Sequence, residues 1–66
     1  MKFDTIEDWL AADPDRECGA QATADGKFVG EVIDAGGGTT GVPCRDVDTA
    51  IWSALRAWCE IQENEP

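Results

Sequence analysis

The sequence predicts an α+β domain: a short N-terminal helix, a three-stranded antiparallel β-meander and a long C-terminal helix packed on the sheet. Three observations carry this expectation. Asp46 to Ile61 forms one long stretch with a helical apolar stripe. Asp25-Gly26 separates two strand-like runs. A short helical pattern of Phe3, Ile6, Trp9 and Leu10 opens the chain. All 66 residues fit one domain, whose acidic tail, about 61–66, is expected to fray.

The first helix is expected over Thr5 to Ala12. Thr5 with Asp8 three positions on resembles a capping box, although Asp4 is a second candidate for the cap. Asp13-Pro14 ends the helix, because a residue before proline is pushed out of the helical region. Two turns do not stand alone, so Trp9 and Leu10 must cover one end of a core. Pro14 to Glu17 reads as a charged loop.

Cys18 to Ala24 reads as a strand of small residues, and Lys27 to Asp34 as a second strand carrying Phe28, Val29, Val32 and Ile33. Asp-Gly between such runs signals a hairpin with a two-residue type I′ turn. That turn pairs Ala22 with Val29, Ala20 with Glu31 and Cys18 with Ile33 on one face. On the other it pairs Thr23 with Phe28 and Gly19 with Val32. Neither face is cleanly apolar. The small residues of the first strand suggest a neighbour packed close against it. Ala35 to Gly38 is a glycine turn, and Thr39 to Val42 a short third strand that Pro43 closes.

Asp46 is the expected N-cap of the long helix, with Asp48 in its first turn, where carboxylates meet unsatisfied N–H groups and the positive dipole end. Val47, Ala50, Ile51, Ala54, Leu55, Trp58 and Ile61 then recur at three- and four-residue steps. Trp52 lies off this stripe. It is either an anchor for a partner or packed against the first helix.

So short a chain buries only about 60% of its unfolded surface, and its stability is marginal. Five aromatics, three of them Trp, help fill the core. Fourteen Asp and Glu face five Lys and Arg, with no His, for a formal net charge of −9. That sign excludes ordinary DNA or RNA binding, which needs Lys and Arg on phosphates. It argues equally against anionic membranes. It fits a partner with a basic surface. Met1 opens a polar, acidic segment rather than a secretory leader, and no run approaches the ~18 apolar residues of a membrane span. A reducing cytoplasm is the expected compartment.

Catalysis and cofactors find little support. A carboxylate pair for acid–base work needs a pocket that separates two pKa values, and this domain has little room for one. Cys18, Cys44 and Cys59 are scattered, whereas structural zinc wants four ligands, commonly in close pairs. They read as inert thiols, although Cys18 and Cys44 on neighbouring strands leave a disulfide geometrically open. Gly36-Gly37-Gly38 has no following Lys and reads as a turn, not a phosphate loop.

The carboxylates are the remaining signal. Alternate strand residues lie about 6.7 Å apart and helix neighbours about 5–6 Å apart, so rows of them imitate a line of phosphates to a basic groove. The plain alternative is a solvated surface tuned for solubility or high salt, yet −9 exceeds the usual range of about 2–8 for a small domain. The candidate interface residues are Asp13, Asp15, Glu17, Asp34, Asp46 and Asp48. They are expected in loops and helix starts that gather at one end of the sheet. Glu31 is a further candidate.

Phe3 to Leu10, the Asp25-Gly26 hairpin, the glycine turn and Asp46 to Glu60 together resemble the small acidic anti-CRISPR proteins of phages, most nearly one directed at the type I-C effector complex, Cascade. The resemblance implies a monomeric, non-enzymatic inhibitor without cofactors. It implies binding to a basic, DNA-binding surface of a Cascade subunit, which keeps target DNA away. Thr39 to Leu55, a strand leading through a glycine and an N-cap into an Ala-rich helix, is also similar to HicB-type antitoxin domains.

Overall fold

A computed structural model describes residues 3–64. The apolar stripe forms its helix as expected. The elements run α1 (Ile6–Ala11), β1 (Glu17–Ala22), β2 (Phe28–Asp34), β3 (Gly37–Thr40) and α2 (Val47–Asn64). The sheet is antiparallel in the order β1-β2-β3, and α2 packs on it.

Thr5 caps α1: its backbone is extended and its Oγ1 accepts the Asp8 N–H at 3.0 Å. Asp46 caps α2 in the same way, accepting the Thr49 N–H at 2.8 Å. Each carboxylate or hydroxyl satisfies a donor that the first turn leaves orphaned. The α2 helix runs past Ile61 to Asn64, into the stretch expected to fray. Glu65 and Pro66, also assigned to the fraying tail, lie outside the described residues.

The core forms where α2 covers one face of the sheet and Trp9 of α1 packs into it. Trp9, Val32, Ala50, Ile51, Ala54 and Leu55 are buried. Burying a Leu, Ile or Val contributes about 1.5–3 kcal/mol each. Val47 and Ile61, the two ends of the stripe, overhang the sheet at 43% and 49% exposure. The closest approach is between α2 and β2. A Cβ on Gly30 would collide with the Ala50 carbonyl, and one on Gly41 would lie 2.5 Å from the Ala54 nitrogen. Two glycines thus let the helix backbone rest on the sheet.

The first hairpin departs from the expected register by one residue. Glu17 pairs with Ile33, Cys18 with Val32, Gly19 with Glu31, Ala20 with Gly30, Gln21 with Val29 and Ala22 with Phe28. The cause is the turn. Asp25 does not take the positive φ that a type I′ turn demands; among the described non-glycine residues none does. Instead the Thr23 N–H bonds the Lys27 carbonyl at 2.9 Å and the Gly26 N–H bonds the Thr23 carbonyl at 3.2 Å. Ala24, Asp25 and Gly26 make a three-residue loop with Gly26 at φ 86°, a type I turn closed by a glycine bulge. The Thr23 hydroxyl secures it, donating to the Asp25 carboxylate and accepting the Lys27 N–H at 3.0 Å.

The second hairpin turns on Ala35 and Gly36 alone, with Asp34 opposite Gly37. The third strand therefore begins two residues earlier than Thr39 and includes Gly37 and Gly38. After Thr40 the chain bulges outward, and the Val42 N–H bonds the Ser53 hydroxyl at 3.0 Å. Cys44 then rejoins Phe28 through two backbone bonds of 2.8 Å.

Backbone parity follows from these bonds. Phe28 bonds Cys44, and the Gly30 carbonyl accepts from Gly41, so even-numbered residues of β2 bond toward β3. Its odd-numbered residues bond toward β1, reaching Glu17, Gly19 and Gln21. The N–H and C=O groups of Cys18, Ala20 and Ala22 therefore point away from the sheet, along an open edge.

Candidate functional site

The loop after α1 is built by its own carboxylate. Asp13 Oδ1 accepts the Asp15 N–H at 3.0 Å, and the Asp13 carbonyl accepts the Arg16 N–H at 3.2 Å. This tight turn folds Arg16 back under α1. Its Nη1 donates to the Trp9 carbonyl at 3.0 Å. The guanidinium lies 4.9 Å from the ring centres of both Trp9 and Trp58 and 5.7 Å from that of Phe3. Trp9 and Trp58 meet edge to face at 5.4 Å. The electron-rich ring faces offset the loss of water around the cation. Sequence reasoning placed Arg16 in a charged loop and missed this cage. It joins three separate segments, so no local spacing announces it.

The cage changes the surface charge. Arg16 is drawn inward, so the exposed basic residues among those described are Lys27, Arg45 and Arg56. Asp4, Glu7, Asp8, Asp15, Glu17 and Glu31 are all exposed. Asp13 and Asp34 are drawn inward as well, and the exposed surface stays strongly acidic.

The seven candidate carboxylates do not gather at one end. Asp13, Asp15, Glu17 and Asp34 share the end where β1 begins and β2 finishes. Asp46 and Asp48 sit at the start of α2, at the opposite end. Asp34 contacts Trp58, and a helix rises about 1.5 Å per residue, so Asp46 lies about 18 Å along the axis from that contact. The reason is chain direction: α2 starts beside the start of β2 and runs down to its finish. Glu31 stands apart from both groups, exposed on the sheet face that carries no helix. It borders a shallow groove of about 300 Å³ shared with Gly19, Gln21, Val29 and Thr40.

Three of the seven already have structural work. Asp34 accepts the Trp58 indole N–H at 2.7 Å and the Gly36 N–H at 2.9 Å. The Trp58 bond is the main reason its carboxyl lies below the ordinary range, with the Gly36 and Gly37 N–H groups and the Arg16 charge acting in the same direction. Asp46 is likewise held low, chiefly by the Thr49 N–H. Asp13 shapes its own turn. Asp15, Glu17, Glu31 and Asp48 remain exposed and are not spent on such bonds.

A second acidic grouping was not foreseen. Asp4 and Glu7 from the start of α1 meet Asp48 around a hollow of about 260 Å³, walled by Ile6 and Trp52. Trp52 is half-buried and packs against the core, in keeping with its structural reading. The signal for this grouping was weak in the sequence: two acidic helix starts, with nothing to say that they lie side by side.

No disulfide joins Cys18, Cys44 and Cys59. Burial, with the nearby Glu7 charge, pushes the Cys18 thiol up, which disfavours the nucleophilic thiolate. Among the described residues no Cys, Asp or Glu cluster is arranged to hold a metal ion, and no helix is long and apolar enough to cross a membrane. No family model, curated protein or solved structure matches the chain.

Proposed function

We propose that this protein is an anti-CRISPR inhibitor of a type I-C effector complex and acts as an acidic DNA mimic in the bacterial host cytoplasm. Its exposed carboxylates engage Lys and Arg that otherwise hold the phosphates of target DNA. An effector of this kind reads its target through a positively charged channel and a short motif-binding site, and both are open to such competition. It acts as a binding protein, a monomer without catalysis or cofactor.

One observation carries the reading: a small rigid body offers many carboxylates to solvent while its Arg16 is folded into the aromatic cage. Pre-set charges avoid an ordering cost on binding. Asp15 and Glu17 are the first residues assigned to the interface, with Glu31 and Asp48 next. Asp13, Asp34 and Asp46 contribute charge from positions they also stabilise.

Capture of the purified effector complex tests this, with wild-type protein and a doubly reversed Asp15→Lys, Glu17→Lys variant. Wild-type capture should fall steeply with added salt, since exposed charges are screened over about 8 Å at physiological ionic strength. The variant should fold and lose capture. Capture indifferent to salt and to both reversals would overturn the reading.

The β3–α2 passage, entering the helix through Gly41 and the Asp46 cap, supports a second reading as an antitoxin-like module for a small basic protein. Inhibition of a co-expressed basic toxin, with no effect on the effector complex, would favour it.

A further inference from the structure

We propose that the free edge of β1 is a strand-addition site for an extended, basic segment of a protein partner. This rests on reading the acidic surface as one that binds protein, and it names how the partner is gripped.

The edge is open in a way sheets usually avoid. Cys18, Ala20 and Ala22 turn their backbone N–H and C=O groups outward, and Ala20 and Ala22 are exposed. Natural edges are protected by lysines, prolines, bulges or a covering element. From Cys18 to Ala22 there is no charge, no proline and no bulge in the pairing with β2. The small residues of this strand were expected to lie beneath a close neighbour. Within β1, Cys18 packs against the core, while Ala20 and Ala22 stay exposed and a Cβ on Gly19 would meet nothing within 4 Å. Small side chains leave room for a second backbone at about 4.8 Å.

Charge selects the occupant. The uncharged edge is framed by carboxylates: Asp15 and Glu17 at its start, Glu7 beside Cys18, and Asp25 in the turn at its far end. An added strand carrying Lys or Arg near its ends would meet all four. A second copy is disfavoured, because each chain carries a formal charge of −9 and like charges repel. Main-chain bonds would then supply affinity, and the flanking carboxylates would supply selectivity for basic sequences.

A synthetic peptide of alternating Lys and Thr tests this, alongside a control of equal charge with Pro in place of every Thr. The control disfavours strand pairing, because a Pro at every second position fixes φ at about −65° and holds the peptide in a polyproline form. Binding of the first peptide should slow hydrogen exchange at the Cys18, Ala20 and Ala22 amides by about tenfold or more, while the control binds at least about tenfold more weakly. An Ala20→Pro variant removes only an outward N–H, so it should fold and lose the peptide.

Equal binding of both peptides would overturn the inference, as would binding without protection of those three amides, or no binding. Protection that grows with protein concentration alone, together with a doubled mass, would also overturn it by naming a second copy as the occupant. The DNA-mimic reading fails on a different result: an effector complex that neither captures the protein nor releases its DNA to it.

Discussion

The Trp58 indole donates to the Asp34 carboxylate across 2.7 Å and ties the late turns of α2 to the end of β2. The same indole forms one wall of the Arg16 cage. One side chain thus joins helix, sheet and loop, and it does so at the end where Asp13, Asp15 and Glu17 are displayed.

Trp58→Phe keeps most of the ring and removes the bond. Stability should fall by about 1 kcal/mol at neutral pH, the usual net worth of one hydrogen bond, discounted for partial exposure. The pH dependence has a definite sign. The folded Asp34 carboxyl lies below its ordinary 3.8, so its contribution is present above that pH and is lost as pH falls through the lower folded value. Urea denaturation should show wild type and variant separated at neutral pH, with the gap narrowing in acid to the part due to ring packing.

Arg16→Ala empties the cage. A desolvated cation–π contact contributes about 2 kcal/mol and the bond to the Trp9 carbonyl about 1 more, so a loss of about 2–3 kcal/mol is expected. Arg16→Lys should recover only part of this, because an ammonium lacks the broad, weakly hydrated guanidinium that reaches both rings and the Trp9 carbonyl at once. Tryptophan fluorescence during denaturation reads both variants, since Trp9 and Trp58 report directly.

Gly30→Ala should cost more than about 3 kcal/mol, because the added methyl meets the α2 backbone and not a movable side chain. Gly19→Ala, on the open edge, should stay within about 0.5 kcal/mol of wild type. Thermal unfolding of the pair separates close helix–sheet contact from a general intolerance of the strands to substitution.

Asp46 has two duties that substitution can part. Asp46→Asn keeps a capping oxygen for the Thr49 N–H and removes the charge; Asp46→Ala removes both. The melting temperature should drop for Ala and stay close to wild type for Asn. A fall in effector binding with Asn alone would then belong to the charge.

The helices were legible because their signals are local. Thr5 and Asp46 sit where caps must sit, and Ala50, Ile51, Ala54 and Leu55 repeat with the helical period. The strands were legible as runs, but their register was not. Asp25-Gly26 suggested a two-residue turn, and the Thr23 side chain, which closes a three-residue loop, lay outside that pattern. The small residues of β1 suggested a close neighbour; α2 does reach that strand, where Cys18 packs on the core, but its closest approach is at Gly30 and Gly41. Least legible was the site. Its carboxylates divide between two ends of the molecule because α2 runs parallel to the descent of β2, a matter of topology. Arg16 needed Phe3, Trp9 and Trp58 to converge before its charge could be removed from the surface.

The central claim is that the protein occupies the place of DNA. The most direct measurement is the affinity of the type I-C effector complex for target DNA, titrated with increasing protein at constant, physiological salt. Competition at a shared site is expected to raise the apparent Kd for DNA in proportion to protein concentration, with no plateau. A DNA affinity that stays unchanged in the presence of saturating protein would contradict the claim.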